Sequence, residues 1–331
     1  MTPTPSRPPN STPVAATSRR RFLAIGLGLF APIVLIWVGA ATLVARGLRF
    51  PPALPYSTNG AAERLMPPAQ DSRELGRLLG MPAQEIVLRG GVSDQLRALI
   101  APVGKARTAV ILVYPNAIGP QSLAAYFRVI NDAGYTALII EYRNLLHDPK
   151  ARGQWGWKER ADVLDAEAAL RARGTQSVAA LGVSEGAAAV IFAGAHGAHL
   201  AAIISDSSYA NLDALLKRIP PLDSLNPVFD RTVMWELGLM TGRAVLDLAP
   251  VRAASKLDGS PLMVINGSDD PLIPPDDARE IFAAASGPKE LWIAPKAGHA
   301  AALATDPEQY AQRVKAFLAK YLGIPEETPR K

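Results

Sequence analysis

Cysteine is absent from all 331 residues, which excludes a disulfide framework, a Cys-ligated zinc or iron–sulfur centre and a thiol nucleophile. Acidic residues are missing from one end of the chain. Residues 1–49 hold six arginines (Arg7, Arg19, Arg20, Arg21, Arg46, Arg49) and neither Asp nor Glu. Removing those six from the 35 basic residues leaves 29 against 30 acidic ones, so the formal charge of +5 belongs to the N-terminus and the remainder is near neutral. A nucleic-acid-binding domain carries its basic face on the folded body, and no Lys/Arg-rich run follows residue 50. Nucleic acid is therefore set aside as a partner. Aromatics are few and no internal repeat is visible, but 49% of residues are apolar and 20% charged, the balance of a folded globular chain with ample material for a core.

The N-terminal 21 residues are rich in Pro, Ser and Thr and have almost nothing to bury, so they read as a disordered basic tail. Phe22 to Ala45 then runs for 24 residues without a charge. At 1.5 Å per residue such a helix crosses a hydrocarbon core of about 30 Å. Residues 22–45 are thus expected to be a transmembrane helix, Pro32 being tolerated where a freed carbonyl finds another partner. Ser18-Arg19-Arg20-Arg21 in front of it holds the N-terminus in the cytoplasm by the positive-inside rule and sends the rest of the chain across. The same residues with Phe22 and Leu23 resemble a twin-arginine export signal, which leads to the same compartment. Gly39-Ala40-Ala41 offers small residues for cleavage, yet the apolar run continues through Leu43 and Val44, which favours a retained anchor. Residues 46–83 contain Pro51, Pro52, Pro55, Pro67, Pro68 and Pro82 and read as a linker.

From residue 84 short apolar runs alternate with helical patterns. Strands are expected at Glu85–Leu88, Leu96–Ile100, Ala109–Tyr114, Ala137–Glu141, Val178–Gly182, Ala201–Ser205, Leu262–Asn266 and Glu290–Ala294. Helices are expected at Gln121–Ala133, Lys158–Arg173, Gly186–Ala195, Asp276–Ala285 and Pro307–Tyr321. This alternation predicts an α/β fold with a mostly parallel sheet of about eight strands, the first two pairing antiparallel at one edge. A helical stretch at about 207–250, including Asn211–Ile219 and Val228–Ala244, is longer than a crossover needs and reads as a lid. Its Leu215, Leu216, Ile219, Met234, Trp235, Leu237, Leu239 and Met240 suit either an acyl pocket or packing of the lid on the sheet. For Trp155 and Trp157 packing is the first reading.

Gly182-Val183-Ser184-Glu185-Gly186 lies between an apolar strand and a small-residue helix. In that context G-x-S-x-G is a nucleophile elbow, a tight turn that lifts Ser184 Oγ above the sheet, with flanking glycines that let backbone pass without a Cβ clash. The amide of Glu185, at the start of the helix, is placed to donate to an oxyanion. A serine nucleophile needs a histidine base and an orienting acid. Of the four histidines, His147 lies in a loop and His196 and His199 follow the elbow helix; His299 sits in Lys296-Ala-Gly-His-Ala-Ala between the last strand and the last helix. The acid candidates are Asp206, directly after a strand, and Asp269 or Asp270 in Asn266-Gly-Ser-Asp-Asp-Pro-Leu-Ile-Pro274.

The elbow, a strand followed by G-x-x-D-x-x-I-P, and a Gly-His loop before a final amphipathic helix make residues 109–322 resemble the α/β-hydrolase superfamily. A further local similarity, carried by Gly156, Glu159, Asp162 and Asp206-Ser207, is to bacterial members with one N-terminal membrane helix. The resemblance implies an α/β-hydrolase domain over 84–331 and places the acid on Asp270, between Gly267 and Pro274. It also implies a second oxyanion donor after the third strand. Members usually carry His-Gly there, whereas this chain has Tyr114-Pro115-Asn116-Ala117; Pro115 has no N–H, so the amide of Asn116 takes that role. The acidic Glu185 is the other departure, and its side chain is expected to turn outward into a salt bridge or to face the site, where a carboxylate is unfavourable. The implied activity is hydrolysis of an ester, in preference to an amide or peptide, by Ser184, His299 and Asp270, with a small-molecule acyl substrate and neither metal nor cofactor. An acyltransferase using the same triad, or a non-catalytic membrane-tethered binding module, is the alternative.

Overall fold

The computed structural model describes residues 34–47, 83–88, 96–102, 107–115, 120–141, 154–219 and 226–323. The described residues form one eight-stranded sheet in the order β1-β2-β4-β3-β5-β6-β7-β8, where β1 is Gln84–Leu88, β2 Leu96–Ala101, β3 Thr108–Val113, β4 Thr136–Ile140, β5 Ser177–Val183, β6 Ala202–Asp206, β7 Leu262–Gly267 and β8 Lys289–Ala294. Strand β2 runs antiparallel to both β1 and β4, and the pairs from β4 through β3, β5, β6 and β7 to β8 are parallel. Each strand lies within one residue of its expected limits. The apolar runs carry this accuracy. In β3 the residues Ala109 to Val113 are all fully buried, as are Val178 to Leu181 in β5, and burying each Val, Ile or Leu side chain contributes about 1.5–3 kcal/mol. Strands covered on both faces read as continuous apolar runs because helices lie on either side.

The helices are α1 (34–47), α2 Ala124–Asp132, α3 Glu159–Ala172, α4 Glu185–Ala195, α5 Leu212–Leu216, α6 Pro227–Thr241, α7 Pro250–Ala254, α8 Pro275–Ala284, α9 Ala302–Thr305 and α10 Pro307–Leu322. The Gln121–Ala133 expectation begins instead with a 3₁₀ turn, Pro120–Leu123, before α2. Helix α4 is buried continuously from Glu185 to Ala193, which its run of alanines allows, since small side chains admit close helix–sheet approach on every face. The two longest of the remaining helices outside the central layer are punctuated by their sequence. Asn226 accepts from the Val228 amide ahead of Pro227, and Gly242 ends α6 in the left-handed region at φ 72°; Asp306 accepts from the Gln309 amide ahead of Pro307 to start α10. Such side-chain caps contribute about 1 kcal/mol each.

Helices α5, α6 and α7 form the insertion between β6 and β7. Its apolar residues divide. Leu215, Leu216, Val233 and Leu237 are buried, whereas Val228, Trp235, Leu239 and Leu246 stand 63–65% exposed. The expectation that Trp235 and Leu239 line an inner acyl pocket or pack the lid down is therefore not met, because the opposite side of α6 faces the body. Trp157 packs edge-on to Phe192 and His196 beneath the guanidinium groups of Arg160 and Arg243.

Helix α1 rests on the lid. Trp37 stands edge-on to Phe229 with ring centroids 5.1 Å apart and its Nε1 donates to Thr232 Oγ1 at 3.3 Å; Ala41 and Ala45 are buried, while Leu35, Ile36 and Leu43 are 71–72% exposed. Among the described residues no helix is long and apolar enough to cross a membrane. The tail expected at 1–21, residues 22–33 of the expected membrane run and almost all of the expected linker lie outside the described residues.

Candidate active site

Because β5 to β8 are parallel, their C-terminal ends share one edge of the sheet, where the candidate residues lie at the strand end, as Asp206 does in β6, or on the segments that follow. Ser184 follows β5 at φ 55° and ψ −115°, a conformation costing about 1–3 kcal/mol in a non-glycine residue. Tight packing on both sides holds it there. A Cβ on Gly182 would lie 2.1 Å from the Gly186 carbonyl oxygen, and one on Gly186 would lie 2.1 Å from the Val113 oxygen at the end of β3. The glycines of the pentapeptide thus let the strand end, the turn and the first turn of α4 occupy nearly the same space. The Ser184 amide donates to the Asp206 carbonyl of the neighbouring strand at 2.8 Å.

Ser184 Oγ is 2.9 Å from His299 Nε2, and His299 Nδ1 is 2.7 Å from Asp270 Oδ2. Both His299 and Asp270 are buried. The loop sequence explains the fixed carboxylate. Asp270 Oδ1 accepts from the Leu272 and Ile273 amides at 2.9 and 2.8 Å, leaving Oδ2 directed at the imidazole. Asn266 Nδ2 donates to the carbonyls of Gly267 and Ile273 and closes the turn. A Cβ on Gly267 would meet the Ala297 oxygen at 2.2 Å, so this glycine lets the end of β7 press against the loop that carries His299.

The other two acid candidates lie apart from the imidazole. Asp269 is exposed and accepts from Ser268 Oγ at 2.7 Å. Asp206 is fully buried and held by hydroxyls: Tyr310 and Tyr126 donate to Oδ2 at 3.1 and 3.4 Å and Ser207 donates to Oδ1 at 3.0 Å. Ser207 Oγ in turn accepts from the Ala300 amide, and Tyr126 also donates to the Ala300 carbonyl. Asp206 therefore grips the residue after His299 rather than His299 itself. Burial pushes its pKa up to about 6 from 3.8, against the opposing pull of these hydroxyls and of the nearby His299. Tyr126, Tyr310 and Ser207 were not among the sequence candidates; only the Asp206-Ser207 pair gave a signal.

Glu185 does not turn outward into a salt bridge. It is buried, and its Oε1 accepts from the Gly156 amide at 3.1 Å. Trp155 at φ 58° and Gly156 at φ 82° bend the preceding loop against α4, where a Cβ on Gly156 would be 2.7 Å from the Ala189 amide nitrogen. The same loop gives the Gln154 amide to Glu159 Oε1 at 3.0 Å, and Tyr209 donates to the Trp155 carbonyl at 2.5 Å. Burial, and then the neighbouring Glu159, hold the Glu185 carboxyl well above the usual range. Glu159 is raised by the same burial. The second oxyanion candidate, Asn116, lies outside the described residues. Among the described residues no group of three His, Asp or Glu side chains is arranged to hold a metal ion.

No family model matches the chain. It is 26% identical over 204 residues to the protein of Bacillus subtilis (strain 168) described as uncharacterized protein YqkD, a match that spans 58% of this chain and 65% of that protein's length. Among solved structures, the Pyrococcus furiosus esterase Pf2001 superposes with a TM-score of 0.59 at 17% identity over 75% of this chain and 94% of that one. A Mycobacterium tuberculosis puromycin-hydrolyzing peptidase gives 0.60 at 19% identity over 76% and 42%, and Est1E of Butyrivibrio proteoclasticus 0.55 at 14% over 72% and 98%. The fold is that of the α/β-hydrolases. At these identities the likeness concerns architecture, and chemistry has to be argued from the site.

Proposed function

We propose that this chain is a membrane-anchored serine hydrolase that cleaves an ester bond, in preference to an amide or peptide bond, through an acyl-enzyme. One observation carries the reading: an unbroken hydrogen-bonded chain from Ser184 Oγ through the His299 imidazole to Asp270 Oδ2, with the serine held at φ 55° on the edge of a parallel sheet. The esterases and the peptidase that share the fold support it.

In this mechanism Ser184 Oγ attacks the substrate carbonyl carbon while its proton passes to His299 Nε2, and the carbonyl π pair moves to oxygen. The backbone N–H groups of Glu185 and Asn116 hold that oxyanion. Asp270 fixes the Nδ1–H tautomer and stabilises the imidazolium. Collapse breaks the bond to the leaving alcohol, which takes the proton from His299. Water then repeats the sequence on the acyl-enzyme, giving up a proton to His299 as it attacks, and the regenerated Ser184 recovers that proton as the acid departs. A raised Glu185 pKa suits this arrangement, because a protonated carboxyl sets no charge beside the oxyanion.

A fluorophosphonate probe tests the nucleophile. The full chain is expected to form an adduct on Ser184, blocked in Ser184→Ala; a folded wild-type chain that fails to label would leave the binding-module reading. Competition by alcohols during turnover then separates hydrolase from acyltransferase. The anchor is proposed on the charge-free run 22–45 and the four preceding arginines, with the hydrolase domain on the extracytoplasmic side. A reporter fused after Leu322 reads the side: activity of a cytoplasm-only reporter there would overturn the orientation.

A further inference from the structure

The outer surface of the lid carries a feature that the catalytic reading leaves unused. At 100° per residue, Val228, Trp235 and Leu239 of α6 fall on one stripe, joined by Arg231. Val228, Trp235 and Leu239 are 63–65% exposed, and Leu246 beyond the helix end is equally so. Large apolar side chains clustered in the open mark an interaction surface more often than chance exposure. The stripe borders a groove of ≈ 1210 Å³ whose walls include Met234, Trp235, Leu239 and Leu246 together with Lys217 and Arg231. None of Ser184, Asp270 and His299 lines it.

What covers this face follows from its neighbour. Phe229 and Thr232, on the flank of the stripe, hold Trp37 of α1. Leu35, Ile36 and Leu43 of α1 are exposed, on the side of that helix turned away from Trp37. Helix α1 also supplies the C-terminal half of the charge-free run 22–45. Arg46 at the end of α1 and Arg231 on α6 are exposed and have no ion-pair partner among the described residues, whereas Lys217 of the groove pairs with Asp213 and Asp230 also lines it. Helix α6, with Trp235 in its exposed apolar stripe and Arg231 beside it, has the make-up of a helix that lies in the plane of the membrane interface, its apolar side chains about 5–10 Å into the headgroup–acyl boundary.

We infer that the outer face of the lid is a membrane-contact surface: with α1 docked against it, Val228, Trp235, Leu239 and Leu246 enter the interface of an anionic bilayer while Arg46 and Arg231 meet lipid phosphates. The inference rests on the anchored reading above and adds to it that the lid itself lies on the bilayer, which would present the site to substrates drawn from the lipid phase.

The cysteine-free sequence makes the test direct. Single variants Leu239→Cys and, as a remote exposed control, Lys320→Cys are labelled with an environment-sensitive fluorophore in the full chain. They are then reconstituted into vesicles of phosphatidylcholine with phosphatidylglycerol, some bearing acyl-chain nitroxides. The label at 239 is expected to shift to shorter wavelength and be quenched by the nitroxide lipid, while the label at 320 stays water-exposed. Trp235→Glu in the 239-labelled chain lowers the inserted-to-lifted ratio by roughly tenfold or more, leaving hydrolysis of a soluble short-chain ester unchanged. If the chain floats with vesicles but the 239 label behaves like the 320 label, the anchor stands and the lid contact is overturned. If the chain does not float at all, the anchored reading fails and this inference with it.

Discussion

Substituting Asp206 by Asn tests the division of labour between the acids at the sheet edge. Asp206 is fully buried, and its pKa stands at about 6 instead of 3.8 because desolvation outweighs the hydroxyls of Ser207, Tyr310 and Tyr126. A carboxyl whose pKa is raised on folding contributes stability that is complete below the unfolded value and lost as pH rises through the folded one. The full span amounts to roughly 3 kcal/mol, and about half of it is recovered between pH 7.5 and pH 5. Asparagine keeps the shape, and both tyrosine hydroxyls are able to accept as well as donate, so the cage still closes around a neutral amide. The variant is expected to lack this titration. Urea unfolding of both proteins at intervals from pH 4.5 to 8 measures it, with the difference between them isolating residue 206 from the other carboxyls. The wild type should gain roughly 1–2 kcal/mol relative to the variant on acidification from pH 7.5 to 5. Parallel stability curves would refute the argument that an ionised Asp206 is carried at a cost. Turnover at neutral pH is expected to survive in the variant, since the residue contacts the Ala300 backbone through Ser207 and not the imidazole; abolished turnover in a folded variant would transfer the orienting role from Asp270 to Asp206.

Asp270→Asn is expected to lower kcat by about 10⁴-fold with little change in fold: the Leu272 and Ile273 amides claim the remaining oxygen, so the amide NH₂ must face His299 Nδ1 and force the tautomer whose Nε2 cannot take the serine proton. Steady-state kinetics with an activated ester measures it, and a loss below tenfold would oppose the assignment. Gly182→Ala places a Cβ 2.1 Å from backbone oxygen and 2.3 Å from backbone carbon of Gly186, and a loss of about 3 kcal/mol or more is expected, read as a fall in Tm together with lost fluorophosphonate labelling. Glu185→Gln keeps the acceptor for the Gly156 amide but cannot ionise. Since the raised carboxyl stabilises at low pH and loses that contribution as pH rises through its pKa, the variant should gain stability relative to wild type with increasing pH, and equal pH profiles of Tm would contradict it.

The strands were legible because each buried one is a short apolar run between turn residues, and the elbow because a Cβ on either of its glycines would fall 2.1 Å from neighbouring backbone oxygen. His299 emerged from having only three competitors. The acid was harder: Asp206, Asp269 and Asp270 all follow strands, and what separates them is the pair of amides from Leu272 and Ile273 that aims one carboxylate at the imidazole, a feature of folded loop geometry. The orientation of the lid was not legible for a related reason. Helix α6 has apolar residues on two sides, Val233 and Leu237 against Val228, Trp235 and Leu239, and hydrophobic periodicity finds both stripes without saying which one meets the body. The cage around Asp206 joins residues separated by 80 and 104 positions in sequence, beyond any local pattern.

The acidic elbow residue shows how a local departure is absorbed by a distant segment. Under the proposed mechanism a glutamate one position after the nucleophile is electrostatically wrong for a site that must stabilise an anion, and a reading confined to the pentapeptide would count it against catalysis. The loop ahead of α3 changes that conclusion. Positive φ at Trp155 and Gly156 turns the Gly156 amide toward Glu185 Oε1, and the loop packs so closely on α4 that a Cβ on Gly156 would fall 2.7 Å from the Ala189 amide nitrogen. The side chain is thereby held in a dry environment beside Glu159, where both carboxyls are raised. Burial that would be a penalty for an ionised group here favours the neutral form, so in the mechanism proposed above the backbone amide of Glu185 acts on the oxyanion without a charged side chain beside it. The Gln154-Trp155-Gly156 bend and the elbow are thus one structural unit, and the glutamate is the bond between them.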